Sequence, residues 1–168
     1  VASPIVLIWL GVYGLFKRFS SLAHFFLGGA LALSPLAAGL AIEPGYLAEP
    51  TLWLLAGFVL LWVAGFDIIY ALQDMEFDRE AGLHSLPAKL GRTESLAAAK
   101  GVHLLGLLLL VMVYRLTPSL RGEGLFLIGI VIVGVLLMIE HRAASAGKFN
   151  MAFFTVNGII ALLLGGLG

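Results

Sequence analysis

The sequence predicts an all-α fold, a polytopic bundle of transmembrane helices. Hydrophobic residues make up 61% of the 168 positions, charged residues only 12%, and the mean hydropathy is +1.05. Average soluble domains carry about 25% charged residues, so this chain has too few to cover a soluble core. Its apolar runs approach the ~20 residues that a helix needs to cross a bilayer. They do not alternate as barrel strands do, and backbone groups in lipid must be hydrogen-bonded internally, so helices are predicted.

Six hydrophobic segments follow one another, each bounded by polar or turn residues. The first is short for a membrane span, as a truncated helix would be. Glycines recur inside the segments, and small residues let helices approach closely in lipid. The six segments are Pro4–Phe16, Leu22–Ile42, Thr51–Leu72, Ser95–Leu116, Gly124–Ile139 and Met151–Leu167.

Composition narrows the possible chemistry. The chain has no Cys, which excludes disulfides and thiolate metal sites. Ten basic residues balance ten acidic ones, so the net charge gives no indication of nucleic-acid or acidic partners.

The chain begins with Val, and no basic region precedes a short apolar core, so no signal peptide is predicted. The missing Met leads us to expect that the natural polypeptide begins upstream.

The basic residues predict the orientation of the bundle. If the loop at 73–95 faces the cytoplasm, only Arg115 and Arg121 lie on the outer side. Positive residues favour the cytoplasmic side, so we expect a multi-pass protein of the cell inner membrane with this loop inside. The residues then placed on the cytoplasmic side are Lys17, Arg18, Arg79, Lys89, Arg92, Lys100, Arg142 and Lys148.

Polar residues recur at the end of the third segment. Asp67, Tyr70, Asp74 and Asp78 are spaced by three, four and four residues. On a continuous helix this spacing stacks them along one face over about 16 Å. Mg²⁺ commonly takes one or two carboxylates together with phosphate oxygens, so the pattern indicates a metal–diphosphate site; a solvated helix end is the alternative. Asp67 lies about two turns inside the apolar run, where an ionisable residue is costly and favours a function; a buried carboxylate that is satisfied by a neighbouring helix is the alternative.

The residues around these carboxylates resemble the second aspartate-rich motif of the UbiA superfamily of intramembrane aromatic prenyltransferases. Two further elements are similar to that family: Tyr13-x-x-x-Lys17-Arg18-Phe19, and the asparagines at 150 and 157 of the last segment. The resemblance covers essentially the whole chain. The motif reads Asp67-x-x-Tyr70-Ala71-x-Gln73-Asp74-x-x-x-Asp78-x-x-x-Gly82-x-x-Ser85-x-Pro87.

The resemblance implies a fold of about nine helices, of which this chain would supply six. No string of the form Asn-Asp-x-x-Asp-x-x-x-Asp, the family's first aspartate-rich motif, occurs in the sequence. We therefore expect residues 1–168 to be a single membrane prenyltransferase domain that lacks its first three helices and first motif. We expect the isolated chain to be inactive and the full-length protein to be an enzyme.

The implied activity is Mg²⁺-dependent transfer of a polyprenyl group from its diphosphate to an aromatic acid in ubiquinone or menaquinone biosynthesis. The residue types in the aspartate-rich motif resemble those of family members that favour a 4-hydroxybenzoate-like acceptor. The run at 150–157 also resembles family members that act on a naphthoate acid. The expected partners are the polyprenyl diphosphate, the aromatic acceptor and the lipid bilayer, and no nucleic acid.

Site residues are carried over by motif position. The catalytic candidates are Asp67 and Tyr70; Asp67 would either stabilise the allylic cation or help to remove the ring proton. Asp74 and Asp78 would hold Mg²⁺. Lys17, Arg18 and Tyr13 would bind the diphosphate, although a basic pair at a helix end is also an ordinary membrane anchor. Gln73, Ser85 and Asn150 are expected in the lid or beside the substrate.

Several residues favour plainer interpretations. A lone interfacial His24 is more typical of structure than of substrate contact, and Glu140 resembles a solvated helix end. Asn157 is expected to join helices by hydrogen bonds.

Two other classes of protein are alternatives to the prenyltransferase. One is a non-catalytic module or transporter half that uses its acidic helix for ion transfer or subunit packing, but transporter sites usually lie at the midplane. The other is a CDP-alcohol phosphotransferase, whose Asp-Gly-x-x-Ala-Arg string is not in the sequence.

Overall fold

A computed structural model describes residues 3–167, which fold as helices joined by short turns. All six predicted hydrophobic segments are helical, and two short helices lie in the loop after the third segment. Single 3₁₀ turns occupy Pro44–Ala48 and Pro118–Leu120, and a π-helical turn, Met151–Val156, runs directly into the last helix. The α-helices are α1 (Ser3–Phe16), α2 (Ala23–Ile42), α3 (Pro50–Ala71), α4 (Met75–Glu80), α5 (Leu86–Leu90), α6 (Arg92–Leu116), α7 (Gly124–Ser145) and α8 (Asn157–Leu167).

Within residues 3–167, four helices are long and apolar enough to cross a membrane: α2, α3, α6 and α7, with 20 to 25 residues each. The π-helical turn and α8 together form a shorter apolar segment over Met151–Gly166. Large apolar side chains stay exposed along the outer faces, among them Leu104, Ile128 and Leu162. Exposed apolar surface of this extent suits contact with lipid rather than water. The predicted all-α membrane bundle is confirmed.

Helix α3 lies at the centre, packed between α2 and α6. Glycines allow this close packing, because a Cβ at Gly28 would overlap the backbone carbonyl of Leu60, and one at Gly65 would overlap the ring of His103. Small residues at helix contacts stabilise membrane bundles by letting backbones approach. The central position of α3 buries its last turns, which include Asp67, Ile68 and Ile69.

The predicted continuous helix from Asp67 to Asp78 is wrong. Helix α3 ends at Ala71, and the backbone N–H groups of Leu72, Gln73 and Asp74 each donate to the carbonyl three residues earlier. Such i→i−3 bonds tighten the chain into a 3₁₀-like turn. Helix α4 then starts after Asp74, so Asp74 and Asp78 lie beyond a break in the helix that carries Asp67.

Helix α7 is longer than the predicted segment, which ended at Ile139. The helix continues to Ser145 and carries Glu140, whose exposed fraction is 0%. The interpretation of Glu140 as a solvated helix end is therefore wrong. A charged residue next to an apolar run is typical of a surface position, but this carboxylate accepts a hydrogen bond of 3.0 Å from Asn157 Nδ2 inside the bundle.

Candidate active site

A cation and a carboxylate meet at one end of the bundle, where residues 72–91 form the loop between α3 and α6. We call this end of the bundle the loop end. Lys17 Nζ, just after α1, lies 3.8 Å from Asp78 Oδ2 on α4. Asp78 is 2% exposed, and its Oδ2 accepts no hydrogen bond within residues 3–167. Lys17 is only partly exposed, so both charges are largely removed from water. The structure thus brings together two residues that the sequence predicted to bind a diphosphate and its metal.

Asp74 and Gln73 occupy the turn between α3 and α4, and both side chains are exposed. Asp74 is the residue before α4, but its side chain forms no capping hydrogen bond in the described structure. Its carboxylate is therefore open to a ligand arriving at the loop end. Asp74 lies one helical turn before the buried Asp78, which faces Lys17, and the N–H of Asp78 donates to the carbonyl of Asp74 at 2.7 Å.

The donor set fits a Mg²⁺ ion shared with a substrate. Asp74 and Asp78 offer only carboxylate oxygens, the ligand type that Mg²⁺ prefers, and one oxygen of Asp78 is buried without a hydrogen bond in the described chain. Across residues 3–167, no group of three or more His, Cys, Asp or Glu side chains is placed to hold a metal by itself. Any ion here would need further ligands, which diphosphate oxygens can supply.

Asp67 lies deeper, one turn before the end of α3, and is 8% exposed. Its Oδ2 is 2.6 Å from Nδ1 of His24, which is completely buried near the start of α2. The backbone N–H of Leu86 donates to the other ring nitrogen of His24 at 3.3 Å. Because Nε2 accepts, Nδ1 carries the proton and donates to Asp67, which assigns the tautomer from the hydrogen-bond network.

The loop itself is tied to the bundle by its backbone. The N–H of His84 donates to the carbonyl of Lys17 at 2.7 Å, next to the bond from Leu86 to His24. Gly82 has φ +67°, a left-handed conformation that glycine adopts without strain. Buried Ser85 caps α5 by accepting from Ala88 N at 3.3 Å. The predicted turn and short helix over this end are present, and Ser85 shapes them through the cap.

Tyr70 lies on the last turn of α3 and is half-buried. Its ring centroid is 4.3 Å from that of Phe153 in the π-helical turn, and Phe153 also meets Phe66 edge-on at 5.3 Å. Insertions of π-helix often accompany functional sites. Here Phe153 in the π-helical turn contacts Phe66 and Tyr70, which flank Asp67 on α3.

Three further predicted site residues are Arg18, Asn150 and Tyr13. Arg18 is exposed, and Asn150, immediately before the π-helical turn, is exposed as well. The Tyr13 side chain lies outside the described part of the structure.

A second polar group lies inside the bundle, and of its members the sequence analysis predicted only Asn157 to join helices. His103 Nδ1 lies 3.0 Å from His141 Nε2 and 3.6 Å from Glu140 Oε2, and its Nε2 is 3.1 Å from the carbonyl of Trp62. Trp62 also donates to Asn157. The signal available in sequence was that His103 and Asn157 interrupt apolar segments and that Glu140 and His141 directly follow one, because polar residues inside membranes are expected to pair.

Taken together, the loop end offers a lysine paired with a buried carboxylate, a second open carboxylate, and a deeper His-supported carboxylate beside an aromatic pair. Cations and carboxylate-bound metal neutralise phosphate charge, whereas an apolar, water-poor interior strengthens such electrostatic interactions. At the loop end this arrangement can bind a phosphate or diphosphate group, alone or together with a divalent ion.

Comparison with known proteins gives consistent matches. The model of the UbiA prenyltransferase family matches residues 1–164. A 4-hydroxybenzoate octaprenyltransferase of Histophilus somni (strain 129Pt) is 28% identical over 173 residues, covering 97% of this chain and 58% of the relative. One of Acinetobacter baylyi is 31% identical over 125 residues, covering 74% of this chain and 41% of the relative.

The fold is also similar to a solved structure. The apo structure of a UbiA homolog from Aeropyrum pernix K1 superimposes with a TM-score of 0.83 at 27% identity, covering 98% of this chain and 61% of that one. The chain thus spans about three-fifths of the length of the relatives that it matches over nearly all its residues.

Proposed function

Since the chain belongs to the UbiA prenyltransferase family, we propose that the protein of which it is part transfers a polyprenyl group from its diphosphate to the ring of an aromatic acid. The relatives named 4-hydroxybenzoate octaprenyltransferase support 4-hydroxybenzoate as the first acceptor to test, at 27 to 31% identity. A naphthoate acid is the alternative acceptor, and either product would serve quinone biosynthesis in the membrane.

The observation that carries the proposal is the approach of Lys17 to Asp78 within 3.8 Å at the loop end. The bond from the allylic carbon to the diphosphate oxygen breaks, and the electron pair leaves with the diphosphate. Lys17 would contact that leaving group electrostatically and stabilise the negative charge that develops on it. A Mg²⁺ ion held by Asp74 and Asp78 with diphosphate oxygens would supply further neutralisation.

The deeper residues suit the second half of the reaction. The allylic carbon forms a new bond to a ring carbon of the acceptor, and that ring carbon then loses its proton. Asp67, oriented by the 2.6 Å bond to His24, offers a carboxylate that either stabilises the cationic carbon or accepts the proton. The Tyr70 and Phe153 rings offer π-faces, which attract cations and exclude water.

The test is an assay of the full-length protein in liposomes with a polyprenyl diphosphate and 4-hydroxybenzoate, with and without Mg²⁺. We expect Mg²⁺-dependent formation of the prenylated acid. Asp78→Asn and Asp74→Asn should each lower the rate by roughly 100-fold or more, the size typical of losing one transition-state charge contact. Glu76→Gln is the matched control, because Glu76 is an exposed acid on the same short helix.

Two results would contradict the proposal. One is an unchanged rate for both aspartate variants, which would place the chemistry elsewhere. The other is full turnover after Mg²⁺ is chelated, which would remove the metal from the reaction. Competition between 4-hydroxybenzoate and a dihydroxynaphthoate in the same assay decides which aromatic acid is preferred.

A further inference from the structure

An open groove of about 570 Å³ runs between α6 and α7. Its volume lies within the ~300–1,000 Å³ of ordinary small-molecule sites. The groove shares no lining residue with the candidate active site, whose members lie between Lys17 and Ser85 and in the π-helical turn. It is therefore a separate feature of the fold.

Two apolar stripes form the walls. Leu104 and Leu107 lie on α6, and Gly134, Leu137 and Met138 face them from α7. The spacing of three and four residues keeps each stripe on one side of its helix. Leu104 and Met138 are 60% and 58% exposed, so the groove opens sideways to the surroundings of the bundle. In a membrane those surroundings are acyl chains.

The end of the groove nearest the loop end is basic. Lys100 and Arg142 line it from opposite walls, and both side chains are exposed. Neither forms an ion pair with a carboxylate among the described residues, in contrast to Lys17 and Arg79. His103 and His141 lie between these walls, joined by a 3.0 Å contact, and His141 Nδ1 has no hydrogen-bond partner in the part of the chain described.

We propose that this groove binds an anionic phospholipid of the surrounding bilayer. The phosphate lies between Lys100 and Arg142, and one acyl chain follows the apolar stripes toward Gly134. The charge distribution favours this ligand, because Lys100 and Arg142 have no carboxylate partner among the described residues and lie at one end of an apolar groove that is open to lipid. Basic pockets between transmembrane helices on the cytoplasmic side typically bind anionic head groups, and the basic residues predict that this end faces the cytoplasm.

The experiment is native mass spectrometry of the delipidated, purified protein titrated with phosphatidylglycerol or with phosphatidylcholine of the same acyl chains. Each basic residue near a membrane surface favours anionic lipid, and two such residues together predict a preference of about 30-fold for phosphatidylglycerol. The Lys100→Gln, Arg142→Gln double variant should lose that preference. The Lys89→Gln, Lys148→Gln variant is the control, since it removes two exposed cations predicted to lie on the same membrane side.

A second variant tests the apolar part of the groove. Gly134 lines the groove, and a Cβ there would meet Leu107 Cδ2 at 3.5 Å, an ordinary contact, so Gly134→Leu adds apolar volume at the groove wall and its Cβ alone does not force the helices apart. We expect it to weaken the binding of both lipids while leaving the unfolding temperature close to that of the parent.

Each remaining outcome counts against the proposal. Equal binding of the two lipids, or an equal loss of preference in the control pair, would overturn it, because the charges at the groove would then have no special role. Displacement of bound phosphatidylglycerol by a polyprenyl diphosphate at matched concentration would assign the groove to the substrate instead.

Discussion

The indole nitrogen of Trp62 donates a 2.9 Å hydrogen bond to the amide oxygen of Asn157, 95 residues further along the chain. The amide nitrogen of Asn157 donates to Glu140 at 3.0 Å and to the carbonyl of Ala152 at 3.2 Å. One buried amide therefore joins α3, α7 and the π-helical turn. Asn157 was expected to join helices, and the structure confirms it.

Replacing Asn157 with Leu should destabilise the bundle. Trp62 and Glu140 would keep their buried polar atoms but lose a partner, which typically costs about 1–3 kcal/mol. Thermal unfolding in detergent measures the effect. Asn150→Leu is the control, because Asn150 is exposed and such substitutions usually stay within about 0.5 kcal/mol. Equal unfolding temperatures for the two variants would mean that the Asn157 hydrogen bonds contribute no net stability.

His24→Ala should lower the turnover number by at least roughly tenfold, because Asp67 loses the donor that orients it. His24→Gln keeps a donor and an acceptor and should restore part of the rate. His84→Ala, at an exposed side chain in the same loop, should leave the rate nearly unchanged. If His24→Ala lowered only the unfolding temperature and not the turnover number, the histidine would be structural alone.

Lys17→Met should weaken the binding of the prenyl diphosphate by roughly tenfold, the size expected when one charge-assisted contact is lost. Isothermal titration with a non-hydrolysable diphosphate analogue measures this. Combined with Asp78→Asn, the loss should be non-additive, since contacting residues couple. Strict additivity would show that the two residues act independently, and Lys89→Met controls for the general loss of positive charge.

Gly65→Ala should destabilise the protein by about 1–3 kcal/mol, because the new Cβ overlaps the His103 ring and forces α3 and α6 apart. Gly101→Ala is matched, since it lies within α6 with nothing within 4 Å of its Cβ position. That variant should gain up to about 1 kcal/mol from the better helix propensity of Ala. Unfolding temperatures in one detergent compare the pair, and a stabilised Gly65→Ala protein would refute the close packing.

The orientation can be tested directly, because the chain has no natural Cys. Single Glu80→Cys and Glu123→Cys variants place exposed thiols at opposite ends of the bundle. A membrane-impermeant maleimide added to intact cells should label position 123 and leave position 80 unlabelled until the cells are broken. The reverse pattern would invert the predicted topology.

The six segments could be predicted because the cost of placing polar backbone and side chains in lipid restricts sequence over whole spans. The break after Ala71 could not, since the polar residues that follow it suit either a helix end or a continuing helix. The partners of Asp67 and Glu140 depend on which helices become neighbours, and hydropathy carries no information on that. His24 and Asp67 are separated by 43 residues, and their contact arises only when α2 packs on α3.

The loop end has one further consequence. A single imidazole receives the Leu86 N–H with one nitrogen and holds the Asp67 carboxylate with the other. Lifting the 82–91 segment away would break the first bond and free the ring to rotate or exchange its proton. The position of the 82–91 segment and the orientation of the Asp67 carboxylate are therefore linked through His24, so a ligand that holds the segment in place would also favour the oriented carboxylate.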